Sequence, residues 1–94
     1  KLALAADPSG ALKYNTKQLN AKPGNITITF ANKSTTPHDV VVETEDGKTL
    51  GESEDVTEGT VKLVLKDVKA GTYTFYCSLP GHRQAGMEGT LTVR

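Results

Sequence analysis

Between Cys77 and Met87 the chain compresses three chemically unusual residues into eleven positions. Cys77 is the only cysteine, Met87 the only methionine and His82 one of two histidines, spaced Cys-x4-His-x4-Met. A thiolate, an imidazole and a thioether suit a soft, redox-active metal such as copper. The other histidine, His38, lies about forty residues upstream and is the natural fourth candidate. Two imidazoles and a thiolate in a trigonal plane, with a weak axial thioether, form the donor set of a blue copper centre.

Taken singly, each residue has a plainer reading. A free cysteine is usually a small buried hydrophobe, a loop histidine a solvated side chain, and a lone methionine a filler of core gaps. Their combination changes the weighing. Strand parity aims Cys77 inward beside Tyr73 and Phe75, and His38 shares the inward parity of Val40 and Val42. An imidazole facing a core carries a desolvation cost unless it gains a partner, and a metal is such a partner. Cys77 as a nucleophile with a histidine base is the enzymatic alternative. It requires an exposed thiolate, and neither an orienting third group nor an oxyanion loop is evident. A zinc site of one cysteine and two histidines is a further alternative, against which Met87 argues. A copper carrier or sensor without a shuttle role is a third. A dinuclear copper centre of the oxidase kind needs two cysteines, and the chain has one.

The elements that position these residues read as short strands. Residues 1–6 alternate weakly and predict a first strand, followed by a turn at Asp7-Pro8-Ser9-Gly10. Leu12 and Tyr14 predict the start of a second strand, with Leu19 in a more irregular continuation and a turn at Lys22-Pro23-Gly24. Asn25 to Phe30 alternates with period two and buries Ile26, Ile28 and Phe30. Asp39 to Glu43 is β-branched and short. Residues 44–59 are acidic, with a hairpin signal at Asp46-Gly47 and otherwise a surface loop. Val61, Leu63 and Leu65 mark a half-buried strand, Thr72 to Cys77 another, and Glu88 to Arg94 the last, with Leu91 and Val93 inward. Seven or eight strands at such spacing, without a convincing amphipathic helix, predict an all-β fold. The expected form is an antiparallel Greek-key β-sandwich comprising one domain over residues 1–94.

Composition bounds the function. Ninety-four residues support one modest core, and eleven basic residues balance eleven acidic ones, so no global field draws the chain to nucleic acid. The charge is uneven: residues 1–42 are net basic, whereas residues 43–70 carry eight acids against four lysines. No apolar run approaches the ~20 residues of a membrane span. The chain opens with Lys1, which fits a removed leader or anchor as well as a trimmed boundary. Asn25-Ile26-Thr27 and Asn32-Lys33-Ser34 match glycosylation triplets, which are frequent by chance.

Several segments resemble the cupredoxins, the small blue copper proteins that include plastocyanin, azurin and auracyanin. They are Lys22-Pro23-Gly24 through Asn32, Thr36-Pro37-His38-Asp39-Val40-Val41-Val42, and Gly71 through Val93 with its ligand loop. The resemblance spans nearly the whole chain. It implies the cupredoxin fold, one copper ion cycling between Cu(I) and Cu(II), and single-electron transfer without enzymatic activity. His38, Cys77 and His82 would be the equatorial ligands and Met87 the axial one. It further implies a monomer that docks transiently near His82 with a redox partner, a c-type cytochrome, a photosystem or a terminal oxidase. The compartment would be periplasmic, thylakoid-lumenal or on an extracellular membrane face. Two departures stand out. Four residues separate Cys77 from His82, as in azurin and auracyanin, where plastocyanin usually has two. Asp39 stands where plastocyanin and azurin generally carry Asn, and Asp39 is expected to accept a hydrogen bond from Ser78. The segment from Glu43 to Glu58 is the candidate steering surface for a basic partner.

Overall fold

The computed structural model describes residues 1–94. Eight strands form two sheets: β1 (Leu2–Ala5), β2 (Gln18–Ala21), β3 (Gly24–Asn32), β4 (Val41–Thr44), β5 (Thr49–Glu52), β6 (Gly59–Val68), β7 (Gly71–Tyr76) and β8 (Glu88–Val93). One sheet has the order β1-β3-β6 and the other β2-β8-β7-β4-β5. The β-sandwich expected from the alternation is therefore present. Each sheet is mixed rather than wholly antiparallel, because β1 runs parallel to β3 and β2 parallel to β8. Alternation reports which face of a strand is buried, and it carries no information on strand direction.

Leu4, Ile26, Ile28, Phe30, Leu63 and Leu65 from the smaller sheet face Leu19, Val42, Tyr73, Phe75, Leu91 and Val93 from the larger one. Ile28, Phe30, Phe75 and Leu91 are wholly inaccessible. At roughly 1.5–3 kcal/mol for each large apolar side chain removed from water, this layer is the main stabilising term. Gly89 on β8 lies opposite Phe75 on β7, and its neighbours in the same sheet fill the space beside it. A Cβ there would lie 2.4 Å from Cζ of Phe75 and 2.8 Å from the Lys17 carbonyl oxygen.

Three local expectations are corrected. Leu12 and Tyr14 start no strand; Tyr14 makes only an isolated bridge to Ala6, and β2 begins at Gln18. Tyr14 turns into the core instead, its ring 5.6 Å from Phe30 and 5.4 Å from Phe75, where aromatic burial outweighs continued pairing. His38 to Val40 precede β4, which begins at Val41. The acidic stretch contains a strand, β5, that forms a hairpin with β4 across the Asp46-Gly47 turn and lacks the apolar alternation that would announce it.

Candidate metal centre

Cys77 follows the last residue of β7, and the chain then coils through a compact loop back to Met87 at the start of β8. The loop closes on itself. The amide of His82 donates to Leu79 O, Ala85 to Gly81 O, Gly86 to Arg83 O and Met87 to His82 O, at 3.0–3.1 Å. The return depends on Gly86, whose φ of 116° is a region L side chains rarely adopt. Its carbonyl accepts from Lys17 Nζ at 3.1 Å. The Cys77 amide donates to Met87 O at 3.1 Å, so the two ends of the loop are joined by a backbone bond.

His38 arrives from the other side. Its amide and carbonyl pair with Val56 at 3.2 and 2.9 Å. Val56 O also accepts from the buried Asn32 side chain at 2.7 Å, which donates again to Thr36 O and accepts from Ser34. Asn32 therefore braces the loop that delivers His38. Its sequence signal was the glycosylation triplet, a use that its burial and four hydrogen bonds preclude. Asp39 connects the segments that carry His38 and Cys77, as expected: the Ser78 amide donates to Asp39 Oδ1 at 2.7 Å and the Ser78 hydroxyl to Oδ2. The Tyr14 hydroxyl adds a bond to the Asp39 carbonyl at 2.7 Å. Nothing in the spacing of Tyr14 pointed to that role.

These segments bring three donor atoms together. The Nδ1 atoms of His38 and His82 are 3.2 Å apart, Cys77 Sγ is 3.3 Å from His82 Nδ1, and it is 3.9 Å from His38 Nδ1. A triangle of these sides has a circumscribed radius of about 2.0 Å, the range of a metal–imidazole nitrogen bond. Two nitrogen lone pairs and a sulfur at such distances repel one another unless a cation or proton lies between them. The donor set fits a copper ion. Met87, the fourth predicted residue, is wholly buried at the mouth of the same loop.

Burial sets the electrostatics. His38, Cys77 and Met87 are inaccessible, and only His82 is partly exposed. Desolvation lowers the His38 pKa below its usual 6.5, helped by the neighbouring His82 and opposed by Asp39. Desolvation pushes the Cys77 thiol up from 9.0 to about 11. His38 Nε2 is buried without a hydrogen-bond partner. Ligating histidines usually donate that N–H to an acceptor; here the backbone pairing with Val56 and the surrounding core fix the ring instead.

The match to known proteins follows this geometry. Residues 2–94 match the family described as copper binding proteins, plastocyanin/azurin family. The chain is 36% identical to a plastocyanin of Nostoc punctiforme, covering 90% of this chain and 67% of that protein. It is 35% identical to a chloroplastic plastocyanin of Physcomitrium patens, covering 89% of this chain and 52% of that one. Its backbone superposes on sodium-dithionite-reduced auracyanin from the photosynthetic bacterium Roseiflexus castenholzii with a TM-score of 0.89, 24% identity and coverage of 99% and 95%. The chain belongs to the plastocyanin/azurin family of copper-binding proteins. It is a small blue copper electron carrier with one copper ion.

Proposed function

We propose that His38 Nδ1, Cys77 Sγ and His82 Nδ1 are the equatorial ligands of that copper, with Met87 as the weak axial ligand, all carried by one domain over residues 1–94. The convergence of three donor atoms on a point about 2.0 Å from each carries this reading. Bound there, copper supplies a one-electron Cu(I)/Cu(II) couple. The protein's part is to hold the donors still. Cys77 loses its proton only when a cation replaces it, because burial holds the free thiol near 11. The same burial makes Cys77 a poor nucleophile, which supports electron transfer without enzymatic catalysis.

Exchange of electrons is assigned to the His82 edge, the one part of the donor set that solvent reaches. Leu79, Pro80 and Ala85 flank it in the same loop, and Leu12 shares a surface hollow with Ala85 and Gly86. Such a rim suits a small transient interface with a c-type cytochrome, a photosystem or a terminal oxidase, docked by a monomer. We place the chain in the periplasm, in a thylakoid lumen or on an extracellular membrane face; the chloroplastic relative supports the lumenal option. No helix is long and apolar enough to cross a membrane.

Optical titration tests the ligand set. One equivalent of Cu(II) is expected to give an intense blue thiolate-to-copper band, which Cys77→Ser abolishes. A pale complex, or a band that survives the substitution, contradicts the assignment.

A further inference from the structure

The segment between His82 and Met87 has little to anchor it by packing: Arg83, Gln84, Ala85 and Gly86 contribute nothing to the core. Its internal hydrogen bonds fix its shape. Two side chains tie it to the rest of the fold: Lys17, whose Nζ donates to the Gly86 carbonyl, and Arg83. Arg83 Nε donates to Glu88 Oε1 on β8 at 2.9 Å, and its Nη2 donates to Glu43 Oε2 on β4 at 2.7 Å. Its guanidinium carbon lies 4.0 Å from the centroid of the Tyr76 ring on β7. These strands are neighbours in the order β8-β7-β4, and Tyr76 is bonded directly to Cys77. One side chain thus ties the loop to three strands at once.

An isolated surface ion pair contributes little to stability. Arg83 is held more firmly than that case. Its rigid fork makes two charge-assisted bonds to different carboxylates, and the Glu43 side chain is only 14% exposed. The Tyr76 face adds a cation–π contact. Arg83 itself is 41% exposed, so core burial does not account for its fixed position.

We propose that Arg83 is a positioning residue for the metal site: pinned between Glu43, Glu88 and Tyr76, it holds the loop bearing His82 and Met87 in register with Cys77 whether or not metal is bound. The proposal rests on the reading of these residues as ligands. A one-electron site works best when its geometry is the same before and after transfer, and a loop fastened to the sheet supplies that constancy.

The test compares the full chain with Arg83→Gln, Arg83→Lys and the double variant Glu43→Gln/Glu88→Gln. In the copper-free proteins, hydrogen exchange of the His82, Ala85 and Met87 amides is expected to rise about three- to tenfold in Arg83→Gln and in the double variant. It should rise less in Arg83→Lys and stay unchanged at β3 and β6 amides. After copper loading, electron self-exchange is expected to slow several-fold with the blue band retained. Loop exchange equal to the unsubstituted chain, or a uniform rise across both sheets, overturns the clamp. A missing blue band in the unsubstituted chain overturns the ligand reading instead, and the copper-free exchange data then decide on Arg83 separately.

Discussion

At the scale of single residues, the site is shaped by what surrounds His38, Cys77 and Met87, none of which water reaches. Asp39 is equally buried and lies beside them, its carboxylate spent on the Ser78 amide and hydroxyl. A buried negative charge next to the metal favours the oxidised state. At an effective dielectric constant near 20, removing it is worth on the order of 1–2 kcal/mol, or roughly 40–90 mV for a one-electron couple. Asp39→Asn keeps an acceptor for the Ser78 amide and is therefore expected to raise the reduction potential by that amount. Potentiometry that finds no change would show that the carboxylate is electrically silent. The candidate donors and their order were legible in the sequence because thiol, imidazole and thioether are rare and chemically distinct. The buried, unpartnered Nε2 of His38 was not, since it depends on every atom packed around the ring.

At the scale of elements, two loops deliver the donors and a few polar bonds hold the loops. Tyr14 is the least expected of these braces. It sits between Phe30 and Phe75 and donates its hydroxyl to the carbonyl of Asp39, the residue after His38. Tyr14→Phe leaves a buried carbonyl without its partner and is expected to cost about 1–3 kcal/mol by denaturant titration, with the copper site kept. An unaltered midpoint would mean that another donor takes over. Strands whose apolar residues alternate, such as Ile26, Ile28 and Phe30, could be read directly. Tyr14 could not, because its value comes from residues sixteen and sixty-one positions away in sequence. Strand β5 escaped for the opposite reason: as a solvated edge it needs no apolar alternation.

At the scale of the whole molecule, charge and protonation couple to stability and encounter. In the copper-free protein the unfolded chain binds a proton at His38 below 6.5 that the folded chain resists, so stability falls as the pH drops through that value. At the alkaline end the unfolded thiol ionises near 9.0 while folded Cys77 holds its proton to about 11, so stability falls again across that interval. Unfolding midpoints of the copper-free chain are thus expected to peak between pH 6.5 and 9.0, and a flat profile would contradict the burial of both groups. The acidic face is smaller than the sequence suggested, because Glu43 is taken up by Arg83. Glu45, Asp46, Glu52, Glu54, Asp55 and Glu58 remain exposed. If they steer a basic partner, the association rate should fall steeply as ionic strength rises from about 0.01 to 0.15 M. A rate indifferent to salt would reduce this stretch to a solvated loop.

The folded chain presents two imidazole nitrogens and one sulfur at a spacing suited to one copper. X-ray absorption at the copper edge, recorded on oxidised and reduced protein, tests this arrangement most directly. The expected shell is two nitrogens near 2.0 Å and one sulfur slightly farther out, with distances changing by about 0.1 Å or less between the two states. A shell without sulfur, or one that gains ligands or rearranges on reduction, would contradict the account.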